Sequence, residues 1–149
     1  MQALYAYELA GGDVREIIDV LLKPTLAEDD AAAFATSLFL RTLDHTDRAD
    51  RMIADHAQNW DLGRIALIDR LLLRMAISEF LVFEDIPPKV SINEVIEVAK
   101  SYSTSKSGQF INGVLDAVLL DLQRQGRLRK SGRGLVGMQS LAQRTVPQR

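Results

Sequence analysis

The sequence contains no cysteine among its 149 residues. Disulfide frameworks, cysteine-ligated zinc sites and thiol nucleophiles are therefore excluded, and a reducing compartment is compatible with this composition. Long apolar runs are also missing, because the uninterrupted ones, such as residues 71–73, fall far short of the roughly 18 residues that a membrane span needs. The N-terminus has no basic region followed by an apolar one, so it does not resemble a secretory signal. These absences predict a soluble, cytoplasmic protein that does not associate with membranes.

Proline and glycine are scarce, with four and nine residues respectively. Between them the apolar residues recur at helical spacings and never alternate for long, which is typical of an all-α protein. The chain is 47% apolar. At this length it can bury one sizeable core, and it is too short for two comfortable domains.

The apolar periodicity predicts six helical segments, and the third is expected to break near Asp44, where the sequence "DHTD" offers capping residues. Pro87 and Pro88 forbid a continuous helix between the fourth and fifth segments. The predicted segments are 2–10, 13–22, 28 to about 57, 65–84, 91–102 and 107–125.

The start of the fifth segment carries the best local signal. In "VSINEV", Ser91 as N-cap and Glu94 three residues later form a capping box, while Val90 and Val95 can form a hydrophobic staple. We therefore expect this helix to begin at Ser91.

The last segment contains the turn-favouring pair Asn112-Gly113 within a helical pattern, in "GQFINGVLDAVLL". A glycine in a helix costs about 1 kcal/mol relative to alanine, so Gly113 is expected where another backbone approaches closely. The alternative is a tolerated glycine with no role. Ser107 is the expected N-cap, which places Phe110 in the first turn with one ring edge exposed.

Charge is distributed unevenly along the chain. All 20 acidic residues and eleven of the 18 basic ones lie in the first 121 positions, which leaves a net charge of −9 there and +7 in the rest. The pattern predicts a helical domain over residues 1–125, followed by a flexible basic tail over 126–149. Such a tail is either a nucleic-acid contact or a solubility feature. The basic residues after position 121 are Arg124, Arg127, Arg129, Lys130, Arg133, Arg144 and Arg149.

Enzyme signatures are not found. His45 and His56 lie about three helical turns apart, too far to bind one metal ion, and each is interpreted as a surface or boundary residue. The acidic clusters at 28–30 and 44–47 fit helix N-termini better than a catalytic pair. There is no glycine-rich phosphate loop and no nucleophile elbow. We therefore expect a binding module with no catalytic residue, no metal and no cofactor.

Four stretches together resemble the NusB family of bacterial transcription antitermination factors. They are "QALYAYEL", "NWDLGRIALIDRLLLRMAISEF", "IPPKVSINEVIEVAKSYS" and "KSGQFINGVLD", and they follow the family's order and spacing over about residues 1–119. The resemblance implies an all-helical fold of two small packed bundles. It also implies that no reaction is catalysed.

The same resemblance implies two partners. One is the small-subunit ribosomal protein that doubles as elongation factor NusE, and the other is boxA RNA in leader transcripts such as those of ribosomal RNA operons. In the family the heterodimer clamps single-stranded RNA and helps hold RNA polymerase in a termination-resistant state. Whether the free protein forms a homodimer is left open.

The RNA-binding residues implied by the resemblance lie near the start of the last helix. Phe110 occupies the family's "F-[VI]-N-G" position and is the candidate stacking ring, with Lys106 and Gln109 beside it. Stacking, hydrogen bonds to base edges and basic groups on phosphate are the usual means of reading unpaired RNA. The alternative is that Phe110 is simply a core residue.

The protein-partner residues implied by the resemblance are Tyr5, Leu9 and Asp69. Asp69 is alternatively a surface carboxylate that pairs with Arg70 or Arg64.

Two departures from the family pattern affect the RNA prediction. Family members usually carry an arginine-rich segment before the "QALY" motif, and here Met1 stands directly in front of it, so that segment is expected to be missing. Ser105-Lys106 stands where many relatives have an acidic pair, which exchanges repulsion of phosphate for attraction.

Two other functions remain open from the sequence. Ribosomal RNA cytosine methyltransferases carry a similar domain, but no nucleotide-binding strand pattern follows here, and "NGVLD" differs from their "NAVLR". The other is a protein-interaction module that has lost RNA binding.

Overall fold

The computed structural model describes residues 1–24, 29–57, 64–102 and 104–145, and within these ranges it contains helices and no strand. The all-α prediction is confirmed. The helices are α1 (Gln2–Ala10), α2 (Val14–Ile17, continued by a π-helical turn at Ile18–Leu22), α3 (Asp29–Asp44), α4 (Thr46–His56), α5 (Leu67–Val82), α6 (Pro88–Tyr102), α7 (Ser105–Arg124) and α8 (Met138–Thr145), with a 3₁₀ turn at Gly132–Leu135.

Helix α5 is the central element because both hydrophobic cores contain its side chains. One side packs with α4, α6 and α7 around a large core, and the other packs with α1 and α3 around a smaller one. The smaller core consists of Ala3, Leu4, Phe39 and Leu71. In the large core, Phe80 and Ile77 of α5 are fully buried. The prediction of two small bundles packed together is confirmed.

The predicted break in the long third segment is confirmed. Helix α3 ends at Asp44 and α4 starts at Thr46. His45 lies between them, with its Nδ1 atom 2.8 Å from the carbonyl oxygen of Arg41. The predicted start at residue 28 lies outside the described residues.

The predicted capping box at Ser91 is wrong. Helix α6 begins at Pro88, and the carbonyl oxygen of Pro87 accepts hydrogen bonds from the backbone N–H groups of Val90 and Ser91. Proline suits the first helical position, because the N–H that it lacks would have no partner there. Ser91 is instead fully buried, and its hydroxyl donates to the Glu79 carboxylate at 2.7 Å.

The expected close approach at Gly113 is also wrong. Gly113 is exposed, and a Cβ atom added to it would meet nothing within 4 Å. The close approach lies at Gly134, where an added Cβ would overlap the carbonyl oxygen of Glu84. Only a residue without a side chain fits between these two backbone segments.

The flexible tail predicted beyond residue 125 does not fit the structure over residues 126–145, here called the C-terminal segment. Leu141 of α8 is buried in the large core, and the Ser131 N–H donates to the Glu84 carbonyl oxygen at 2.9 Å. Lys130 Nζ donates to the carbonyl oxygens of Glu79 and Phe83 at 3.1 and 2.7 Å. The basic composition of the C-terminal segment suggested a mobile arm, but its few apolar and small residues, such as Leu141 and Gly134, are enough to pack the segment against the helical domain. Residues 146–149 are not among those described.

No helix in the described part of the chain is long and apolar enough to cross a membrane. Among the same residues, no group of three or more histidine, aspartate or glutamate side chains is arranged to hold a metal ion.

Candidate functional site

An open groove of about 330 Å³ lies where the N-terminal ends of α5 and α7 meet. It brings together Asp69, Lys106 and Phe110, three of the six residues proposed from the sequence. The remaining lining residues are Arg64, Ile65, Ala66, Thr104 and Ser107. The groove therefore combines an aromatic ring with cationic and hydroxyl groups.

Asp69 holds the two walls of the groove together. Its side chain is only 6% exposed, and its carboxylate accepts a hydrogen bond of 2.9 Å from the Ser107 hydroxyl of α7. Asp69 is therefore not the surface carboxylate that the alternative interpretation required. Ser107 is also not the N-cap of α7, because the helix starts at Ser105 with Thr104 as its N-cap.

We expect Ser107→Ala to lower the free energy of unfolding by about 2 kcal/mol, because a hydrogen bond to a buried carboxylate is removed. Urea denaturation monitored by circular dichroism measures the change. Ser101→Ala, at an exposed position at the end of α6, is the control and should change stability by less than about 0.5 kcal/mol. Equal stability of Ser107→Ala and the wild type would show that Asp69 does not depend on this bond.

Phe110 lies at the boundary between the large core and the groove. The ring is partly buried and packs against the large core, and it also lines the groove. One part of the side chain thus contributes to packing while another faces the open space of the groove. Phe110 lies in the second turn of α7 and not in the first, because the helix begins at Ser105.

The cationic groups near the groove are Lys106 and Arg64, and both are exposed. The N-terminus of α7 reaches the same groove through Thr104, Lys106 and Ser107, so its backbone dipole adds positive potential there. Gln109 is exposed on α7 but is not among the groove-lining residues.

Tyr5 and Leu9 form an exposed pair on α1, one helical turn apart. Their side chains are 38% and 62% exposed, although the neighbouring Ala3 and Leu4 are buried. An exposed aromatic and aliphatic pair on a well-packed helix is the kind of surface that suits protein docking. Asp69 faces the groove instead, so it is not part of this α1 surface.

A buried ion-pair network fixes α1 to the rest of the protein, and the sequence reasoning missed it. Arg74 of α5 has a side chain that is 7% exposed, and it donates to both carboxylate oxygens of Asp50 at 2.7 and 2.8 Å. Glu8 of α1 lies 3.4 Å from the same guanidinium group. Burial opposes the charge of Arg74, but the hydrogen bonds and charges of Asp50 and Glu8 outweigh it and raise the pKa of Arg74. The sequence feature that could have indicated this buried ion pair is the single charged residue within the apolar run "LLLRMAIS".

Both histidines are partly buried, in agreement with their interpretation as surface or boundary residues. His56 is half-buried, and its Nε2 atom lies 3.2 Å from a carboxylate oxygen of Asp121. This contact joins the end of α4 to α7. The acidic residues Asp29 and Asp47 lie in the first turns of α3 and α4, where negative charge is favoured.

Comparisons with known families and curated proteins both point to the NusB family. Residues 1–120 match the NusB family. A transcription antitermination protein NusB from Salinibacter ruber is 52% identical over 97% of this chain and 91% of the relative. The NusB protein of Chloroherpeton thalassium is 44% identical over 98% of this chain and 70% of that protein.

Solved structures agree with the sequence comparison. Thermotoga maritima NusB superposes with a TM-score of 0.72 at 34% identity, covering 78% of this chain and 82% of the other. A structure described as antitermination factors NusB and NusE in complex with dsRNA gives a TM-score of 0.69 at 26% identity, covering 78% and 86% of the two chains.

Proposed function

Because the chain belongs to the NusB family of transcription antitermination proteins, we propose that it binds boxA-type single-stranded RNA as a heterodimer with the ribosomal protein NusE. In this proposal the complex forms on leader transcripts such as those of ribosomal RNA operons. It joins the antitermination complex of RNA polymerase in the cytoplasm and promotes processive transcription. The protein acts by binding and catalyses no reaction.

The observation that carries the proposal is the groove between α5 and α7. Phe110 supplies an aromatic face on which an unpaired base can stack, and Lys106 supplies a positive charge for an adjacent phosphate. In this proposal, Gln109, which is exposed on the same helix, hydrogen-bonds a base edge beside the groove. A positive aromatic groove suits single-stranded RNA, since unpaired bases can be splayed out of the backbone.

The proposed NusE-binding surface is Tyr5 and Leu9 of α1. Support comes from their exposure and from the solved relative in which NusB is crystallised with NusE. Asp69 is buried and so does not contact NusE directly in this proposal. Its hydrogen bond with Ser107 instead holds the wall of the groove in place.

Titration of labelled boxA RNA, with and without NusE, tests the proposal. We expect the affinity to rise about tenfold or more with NusE, which corresponds to about 1.4 kcal/mol. A duplex of the same sequence is the control and should bind more weakly than the single strand. Equal affinity with and without NusE would contradict the heterodimer proposal.

The same samples test two remaining alternatives. NusE binding without RNA binding in either titration would favour the protein-interaction module that lacks RNA recognition. Sedimentation of the protein alone measures whether it forms a homodimer.

A further inference from the structure

Two basic residues of the C-terminal segment, Arg144 and Lys130, are hydrogen-bonded to groups within the protein. The Arg144 guanidinium donates to both carboxylate oxygens of Asp116 at 2.7 and 2.8 Å. Lys130 Nζ donates to two backbone carbonyl oxygens at the end of α5, and burial lowers the pKa of Lys130 to about 8. The positive charge of the segment is therefore not equally available to a ligand.

Arg127 has a different environment because it lies next to α4. Its backbone N–H donates to the carbonyl oxygen of Leu122 at 2.9 Å, which fixes the residue against the end of α7. The contact between His56 and Asp121 places the end of α4 beside the last turns of α7, and Arg48, two turns earlier on α4, is within electrostatic reach of Arg127. The docking of the C-terminal segment thus brings its arginine to α4.

Three guanidinium groups, those of Arg48, Arg51 and Arg127, form what we call the arginine cluster. Arg48 and Arg51 are three residues apart on α4, so their side chains share a face. Burial, followed by repulsion from Arg127 and Arg51, lowers the pKa of Arg48. The Arg127 guanidinium donates to the side-chain oxygen of Gln125 at 2.9 Å, a neutral partner that does not compensate its charge.

The carboxylates nearest to the cluster along α4, those of Asp47 and Asp55, lie one turn before and one turn after Arg51, but neither forms an ion pair with it. None of the ion pairs formed among the described residues involves these three side chains. Such a gathering of like charges is unfavourable until an anion neutralises it.

We propose that the arginine cluster binds the phosphate backbone of RNA that extends beyond the boxA-type element. The inference rests on the proposed function, because the groove would hold the element itself. The groove lies at the N-terminal end of α7 and the cluster lies beyond its C-terminal end. The 20 residues of α7 separate the two by about 30 Å.

The chemistry of the cluster favours a nucleic-acid backbone over a single small anion. Guanidinium groups are planar and can bond phosphate oxygens in pairs, and they are less strongly hydrated than ammonium groups. Because the three guanidinium groups are spread over α4 and the C-terminal segment, they match a row of phosphates better than they match a single phosphate ion. The cluster contributes no aromatic ring, so it would bind without reading sequence.

The test compares two triple variants of equal charge. Arg48→Gln, Arg51→Gln and Arg127→Gln remove the cluster. Arg15→Gln, Arg41→Gln and Lys89→Gln, the matched control, remove three exposed cations elsewhere. Each protein, in complex with NusE, is titrated with the boxA-type element alone and with the same element extended by oligouridine on both sides. Thermal melting confirms that both variants are folded.

For the extended RNA, we expect the cluster variant to reduce the slope of log affinity against log salt by about 2, since each of three phosphates contributes about 0.7. For the element alone, both variants should match the wild type. A cluster variant that equals the control variant on extended RNA would overturn the inference. Weaker NusE binding by the cluster variant, without a change in slope, would also overturn it and would indicate a protein contact.

The two proposals fail in different ways. If neither the wild type nor the two variants bind the boxA-type element, the proposed function is wrong. The slope of log affinity against log salt on extended RNA still reports on the arginine cluster. If the element binds and the cluster variant leaves the slope on extended RNA unchanged, only the arginine cluster is wrong.

Discussion

Replacing Arg74 by alanine is expected to lower the free energy of unfolding by about 3 kcal/mol. The substitution leaves Asp50 without the guanidinium that neutralises it and leaves Glu8 with Arg70 alone, 3.7 Å away. Breaking a buried ion pair from one side costs about 3–5 kcal/mol. The lower end applies, because the Asp50 and Glu8 side chains are 23% and 34% exposed and water can partly solvate them. Denaturation in urea measures the change in stability.

A second effect of Arg74→Ala should be weaker binding of NusE. Glu8 lies on α1 between Tyr5 and Leu9, so the helix that presents them is held less firmly when the guanidinium of Arg74 is absent. Calorimetric titration with NusE, at a temperature where the variant is folded, measures this effect.

Lys100→Ala is the matched control for Arg74→Ala. Its ion pair with Glu97 has the same shortest distance, 2.7 Å, but the two side chains are 65% and 68% exposed. We expect this change to cost less than about 0.5 kcal/mol, as is usual for exposed pairs on one helix. Equal destabilisation of the two variants would show that burial does not give the Arg74 network its importance.

Replacing Phe110 by alanine is expected to weaken the binding of boxA RNA by about 1–3 kcal/mol, or about 5- to 150-fold, because a base loses its stacking surface. The salt dependence of binding should hardly change, since no charge is removed. Fluorescence titrations with NusE at several salt concentrations measure both quantities.

Because Phe110 also packs against the core, a second variant is needed to separate stacking from folding. Phe110→Leu keeps an apolar side chain at the core and removes the aromatic ring. Native melting together with weak RNA binding would support stacking. Wild-type affinity of Phe110→Leu would rule it out.

Lys106→Glu serves as the comparison for Phe110→Ala, because it should change the salt dependence that Phe110→Ala leaves nearly unchanged. It should lower the affinity and flatten the salt slope by about 0.7 for each phosphate that the protein no longer neutralises. A slope that is unchanged by Lys106→Glu would remove this residue from the RNA-binding surface.

Most helices could be predicted from the sequence because apolar periodicity is a local signal. Helix α1 has the predicted bounds, and the break after Asp44 falls where capping residues allowed it. The predicted start of α6 at Ser91 failed because the local capping pattern does not show a contact between helices. The helix begins at Pro88, and the Ser91 hydroxyl is buried against Glu79 of α5.

The groove was only partly predictable. The resemblance selected Asp69, Lys106 and Phe110 separately, and their meeting in one groove depends on how α5 packs against α7. Ser107 looked like a helix cap because serine is common there, yet its hydroxyl donates to Asp69, 38 residues earlier in the chain. A sequence window around either residue does not contain the other.

The sequence by itself determined the fold class and the family, because apolar spacing and four ordered motifs lie along the chain and need no partner from elsewhere. Only the tertiary structure decided which charges are neutralised. Arg74, Lys130 and Arg144 find partners across helices, while Arg48, Arg51 and Arg127 are brought together without a carboxylate partner among the described residues. Electrostatic interactions act through space over distances that sequence separation does not report, so the net charge of a segment does not predict where its charge is available.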